Sequence, residues 1–264
     1  MKRAFLAVFA AVFCGTIAFG APLTVSWVEG SVDIKAGSGW KAIDAGDTVD
    51  SAASVRLGQG SFAEFMAGKR KIAVSAEGIY VLDSLLSASA SQEAARVTVV
   101  GKMGRFVNTQ APRNTVVAGV RGDFEGAPAN TTWVVDEDDP ATIAEEARAL
   151  ASKEQFDAAA TKFAAAADGA LGDKRDEYRY SQAWCLAAAN NPIGAIKILR
   201  PMASGGSYGI ARGILLARLN LDTGAAKEAL ALLDEVAKNP SLAGEDAALV
   251  EELRKESRAV LGLK

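Results

Sequence analysis

A pattern of two small residues and one bulky residue that returns three times constrains the second half of this chain more than any other feature. The segments Phe156-Asp157-Ala158-Ala159, Pro192-Ile193-Gly194-Ala195 and Ala226-Lys227-Glu228-Ala229 lie 36 and 34 residues apart. Twelve residues before each closing alanine stands another, Ala147, Ala183 or Ala217, and four residues after it a bulky side chain, Phe163, Leu199 or Leu233. Two antiparallel helices approach closely only where both present small side chains, and a bulky residue one turn on fills the space against the next helix. A unit of this size cannot bury its apolar face alone, so the pattern predicts helix pairs that stack on their neighbours. Asn190 and Gly224 fall at equivalent turns of the second and third units. Ser241 to Leu263 offers one more amphipathic helix, with Leu242, Leu249, Leu253 and Val260 along one side, suited to cap the stack.

Residues 22–134 follow a different period. Leu23, Val25 and Trp27 alternate before a Glu29-Gly30 turn, and Val32 and Ile34 alternate before the next glycine-rich turn. Val55 and Leu57, Phe62 to Met66, Ile72 and Val74, Ile79 and Val81, and Val97 and Val99 continue the series, with turns about every ten residues. This spacing predicts a sandwich, roll or solenoid of strands, with the Ser84 to Ala95 stretch as a loop or short helix. Asp136-Glu137-Asp138-Asp139-Pro140 reads as an acidic linker (135–140) flowing into a helix, because Asp and Pro suit a first helical turn. It lacks the central glycine and distal glutamate of a calcium loop. From Ala141 to the end, 141–264, the period is 3.6.

The first twenty residues read as a secretory signal: Met1-Lys2-Arg3, an apolar run from Ala4 to Phe19, and small residues at Ala18 and Gly20 before Ala21-Pro22. The run is short for a membrane span. A lipid anchor at Cys14 is disfavoured by bulky Phe13 just before it. Cleavage would leave 27 basic and 32 acidic residues and a single cysteine, Cys185, which reads as a small core residue between Trp184 and Leu186. These features predict a periplasmic protein with no membrane span after cleavage and no bulk affinity for nucleic acid.

The chain contains no histidine, which removes Ser-His-Asp and Cys-His catalysis and the commonest zinc ligand. Gly101-Lys102-Met103-Gly104-Arg105 is not a phosphate loop, and Lys69-Arg70-Lys71 reads as a solvated turn between strands. No catalytic, cofactor or metal site is expected, and the chain does not read as an enzyme.

Several pieces of the first half together resemble the FecR domain over about residues 24–135. They are Gly30-Ser31-Val32-Asp33-Ile34, Trp40, Gly46-Asp47-Thr48-Val49, Ser54-Val55-Arg56-Leu57, Gly60-Ser61-Phe62-Ala63-Glu64-Phe65 and Val120-Arg121-Gly122-Asp123-Phe124. The last resembles the family's closing VRG-Thr-x-Phe, with Asp123 in place of threonine, and Arg121 reads as a structural partner there. The best-known members act on a sigma factor through a cytoplasmic segment before a membrane span. Only Met1 to Arg3 precede the apolar run here, so that role is not carried over. The helical half resembles tetratricopeptide (TPR) repeats, although most of the family's aromatic and glycine positions hold other residues. The two resemblances imply an all-β FecR-like sandwich or roll followed by an all-α TPR-like solenoid, as two domains. The repeat resemblance also implies that Arg148, Tyr180, Trp184, Ile214 and Arg218 lie on first-helix positions that line a concave, protein-binding groove. Packing between repeats is the simpler reading of Tyr180 and Trp184. The expected function is a non-catalytic scaffold for protein partners in the periplasm or cell envelope. The alternatives are a peptidoglycan- or polysaccharide-binding module and a signalling component related to FecR regulators.

Overall fold

The structure, a computed structural model, describes residues 21–108 and 139–263. The expected signal segment with Cys14, the Val120–Phe124 ending with Arg121, and most of the acidic linker lie outside the described residues. Eight strands open the chain: β1 (Pro22–Glu29), β2 (Val32–Ala36), β3 (Gly39–Ala42), β4 (Thr48–Asp50), β5 (Ser54–Leu57), β6 (Phe62–Ala67), β7 (Arg70–Val74) and β8 (Gly78–Val81). They form two four-stranded antiparallel sheets, ordered β4-β1-β6-β7 and β3-β2-β5-β8. Period-two alternation turns Leu23, Val25, Phe65, Ile72 and Val74 of the first sheet and Val32, Val55 and Leu57 of the second into one shared core. Trp40 lies at the edge, with the Arg56 guanidinium 4.8 Å from its ring centroid.

The helices follow: α1 (Leu82–Met103), α2 (Arg105–Asn108), α3 (Pro140–Ala151), α4 (Phe156–Gly169), α5 (Gly172–Ala188), α6 (Pro192–Leu199), α7 (Gly209–Asp222), α8 (Ala226–Val236) and α9 (Gly244–Val260). From α3 onward each helix packs on the next. The six alanines and three bulky residues of the repeated pattern are all fully buried. The turns repeat as well. Glu154, Asn190 and Gly224 each take a positive φ, at the 36- and 34-residue spacing of the pattern. After each of them the next N–H reaches back to close the helix: Gln155 to Leu150, Asn191 to Leu186 and Ala225 to Asn220, at 3.0, 2.8 and 2.7 Å. A left-handed residue followed by this six-residue return satisfies carbonyls that the helix end leaves open.

The expected fold class, an all-β FecR-like domain followed by a separate all-α TPR-like solenoid, is corrected by α1. More than half of the described residues are helical, and the part read as strands contains a 22-residue helix. Val97 and Val99, read as a strand, lie on that helix. Val99, Val100 and Met103 are buried on one face while Val97 is 65% exposed on another. Packing of that face overrides the strand preference of a Val-Thr-Val-Val run.

The helix also joins the two halves. Leu82 at its start is buried in the sandwich core, and Val99, Val100 and Met103 at its end belong to the helical core. The outer face of the first sheet contributes Phe62 and Ala73 to that same helical core. Ser75, just past β7, donates its N–H to the Thr223 carbonyl at 3.0 Å, and their hydroxyls meet at 2.6 Å. The molecule is a mixed architecture with sheet, sheet and helices layered on one another.

Candidate functional site

Helices α5 and α7 present paired residues one turn apart, Tyr180 with Trp184 and Ile214 with Arg218, so each pair shares a helix face. All four side chains are buried. The C-terminal end of α1 lies against this surface. The Trp184 indole N–H donates to the Val100 carbonyl at 2.7 Å, and the Tyr180 hydroxyl donates to the Met103 carbonyl at 3.4 Å. The Val100 carbonyl also accepts from the Gly104 N–H at 3.0 Å, so the indole is its second donor, whereas Met103 lies in the last turn, where a helix leaves carbonyls without intrahelical donors. Gly104 makes the approach possible: a Cβ there would sit 2.8 Å from the Trp184 ring. Phe156 meets Trp184 edge-on at 5.6 Å, and Tyr208 lies 5.3 Å from Tyr180. Burial pushes the Tyr180 hydroxyl far above its usual range and Tyr208 up to about 12, so both stay neutral donors.

The arginines do other work. Arg148 on α3 bonds Glu177 on α5 at 2.6 Å. Arg218 is completely buried and holds two carboxylates, Asp222 on its own helix at 2.6 Å and Glu256 on α9 at 2.7 Å. Burial pushes the Asp222 carboxyl up to about 6 against the pull of Arg218, and its Oδ2 has no hydrogen-bond partner among the described residues. Ile214 is part of the helical core. The structure thus brings Tyr180 and Trp184 together on α1 and distributes Arg148 and Arg218 to separate ion pairs. Arg105, just beyond α1, adds ion pairs to Glu245 and Asp246 on α9. Burial raises the Cys185 thiol to about 12, which keeps it protonated and unreactive.

A second feature lies on the outer face of the first sheet. The pairing of β1 with β6 slips between Val25 and Trp27, so Ser26 is an extra residue in the strand. Such a bulge redirects the side chains that follow it. Val25 stays inside, and Trp27 emerges on the outside, 50% exposed. The simple alternation of Leu23, Val25 and Trp27 gives no glycine or proline to announce this slip. Glu64 is paired directly opposite Trp27. Ser26, Trp27, Glu64, Lys71, Asn191 and Lys197 line a cleft of about 260 Å³ between the sheet and α6.

Lys69 and Arg70 at the β6–β7 turn line a smaller cleft of about 90 Å³ with Arg96 and Asp222. Among the described residues no cluster of three or more Cys, Asp or Glu could hold a metal ion, and no helix is long and apolar enough to cross a membrane. Comparison with family models, curated proteins and solved structures found no match for the chain.

Proposed function

We propose that this chain is a non-catalytic, periplasm-facing scaffold whose α5–α7 surface binds helical segments of protein partners. The observation that carries the reading is the seating of α1. Trp184 and Tyr180 clasp the end of a helix by two carbonyls of its last turn, while an apolar face formed by Val99, Val100 and Met103 is buried. A surface of that chemistry accepts a helix with a free C-terminal turn, a mode in which apolar anchors supply affinity and end-on hydrogen bonds supply register. A partner helix takes the place of α1. The resemblances to FecR and tetratricopeptide sequences, together with the signal-like first twenty residues, support the envelope-facing role.

In-cell cross-linking followed by mass spectrometry tests this with three forms of the protein. Gly104→Ala loosens α1 from the indole and is expected to raise partner recovery. Trp184→Ala removes the clasp and is expected to abolish it. Equal recovery from both variants and the unaltered chain, with circular dichroism showing all three folded, overturns the proposal.

A further inference from the structure

The cleft between the first sheet and α6 has a composition unlike the rest of the surface. We propose that it binds one neutral pyranose ring of an oligosaccharide, with Trp27 as the stacking platform. Three observations carry this, none of which depends on the protein-binding reading.

The first is the platform. Half of the Trp27 surface is open although the side chain belongs to a strand whose neighbours Leu23 and Val25 are buried. A one-residue bulge, and nothing in the core, holds it there. The Lys197 ammonium sits 5.3 Å from the ring centroid and is also paired with Glu29, so the indole is held in place from one side. An indole combines a broad apolar face with a polar edge, which matches the C–H face and hydroxyl rim of a sugar.

The second is the ring of polar groups. Glu64 is almost fully buried and accepts from the Ser26 hydroxyl at 2.7 Å and pairs with Lys71 at 3.2 Å. Its carboxylate is therefore fixed in position, with lone pairs to spare for hydroxyl donors. The Asn191 side-chain oxygen caps α6 by accepting from the Gly194 N–H at 2.9 Å, which leaves its NH₂ group as a donor on the opposite wall. Acceptors on the sheet and donors on the helix stand on either side of the indole.

The third is charge and size. Lys71 pairs with Glu64 and Lys197 with Glu29 just outside the lining, so neither ammonium of the cleft is without a carboxylate. A neutral, hydroxyl-rich ligand suits such a site better than a phosphate or a carboxylate, which would have to compete with Glu64 and Glu29 for ammonium groups already paired. About 260 Å³ is just below the usual range for drug-sized ligands, roughly 300–1,000 Å³, and suits one ring with its neighbours running out into solvent.

Isothermal titration calorimetry of the purified protein with chitotriose, cellotriose and maltotriose tests the inference. Saturable binding of at least one is expected, weakened about tenfold or more by Trp27→Ala, the loss of one well-packed aromatic contact. Glu64→Gln and Lys197→Ala are expected to weaken it as well. Lys197 is exposed, so that variant separates a lost contact from a lost fold. Ile79→Ala, on an exposed side chain of the other sheet, is expected to leave binding unchanged. No saturable binding to any of the three sugars, or binding that survives Trp27→Ala, overturns the proposal. So does a protein partner whose capture depends on Trp27 when no sugar titrates.

Discussion

The helical half and the sheet half are built on opposite principles of contact. From α3 to α9 each helix packs on its sequence neighbour, and α3, α5 and α7 close with the same left-handed turn. In the sheet half, β1 pairs with β6 across about forty residues, and β2 skips β4 to find β5. The ties between the halves reach further still, from Ser75 to Thr223, from Glu29 to Lys197 and from Val100 to Trp184. Local packing leaves its record in periodicity. Long-range pairing leaves almost none, and the candidate binding features sit where it dominates.

The largest expected effect probes the local side of this contrast. Arg218→Ala leaves buried Asp222 and partly exposed Glu256 without their shared cation, and a loss of about 3–5 kcal/mol is expected in urea unfolding. A loss below about 1 kcal/mol would mean that the α7–α9 contact is held by Leu249 and Leu253 instead.

The same cluster predicts a pH dependence. Asp222 in the folded protein has its carboxyl raised from 3.8 to about 6 by burial. The folded state therefore holds this proton more tightly than the unfolded chain. Its stabilising contribution is complete below pH 4 and is lost as pH rises through about 6. At about 1.4 kcal/mol per pH unit the loss amounts to roughly 3 kcal/mol. Melting temperatures from pH 4 to 7 are expected to show this fall, and Asp222→Asn is expected to flatten it. A profile that is identical in the variant would assign the titration elsewhere.

Gly104→Ala moves the test to the junction. The added methyl meets the Trp184 ring, and a cost of about 1–3 kcal/mol is expected from overpacking. Hydrogen exchange should quicken at the end of α1 and remain unchanged in α8. Uniform quickening would show that the junction and the repeat pattern are energetically inseparable. The smallest effect is Ser75→Ala, which removes a buried hydroxyl contact with Thr223 and is expected to cost about 1 kcal/mol in the same measurement.

These contrasts explain what could be read from the residues. The nine repeat positions and the turns at Asn190 and Gly224 were legible because a helix hairpin is specified by residues within forty positions of one another. Helix α1 was legible only in part, as a loop or short helix over Ser84 to Ala95. The valines after that stretch favour a strand, and the surfaces that select the buried face of the helix lie about eighty residues downstream. Tyr180 and Trp184 were visible as aromatic pairs on one helix face, but a sequence does not say that the chain's own helix lies on them. The outward position of Trp27 was not legible, because a bulge changes the side a residue faces without changing composition.

Helix α1 also has a thermodynamic consequence. At 1.5 Å per residue its 22 residues span about 33 Å, with Leu82 rooted in one core and Met103 in the other. Melting either core removes the anchorage of one end and exposes apolar surface at the seam, which lowers the barrier to melting the rest. The two halves, unlike in composition and period, should behave as one cooperative unit. Differential scanning calorimetry is expected to give a single endotherm in which the calorimetric and van't Hoff enthalpies agree.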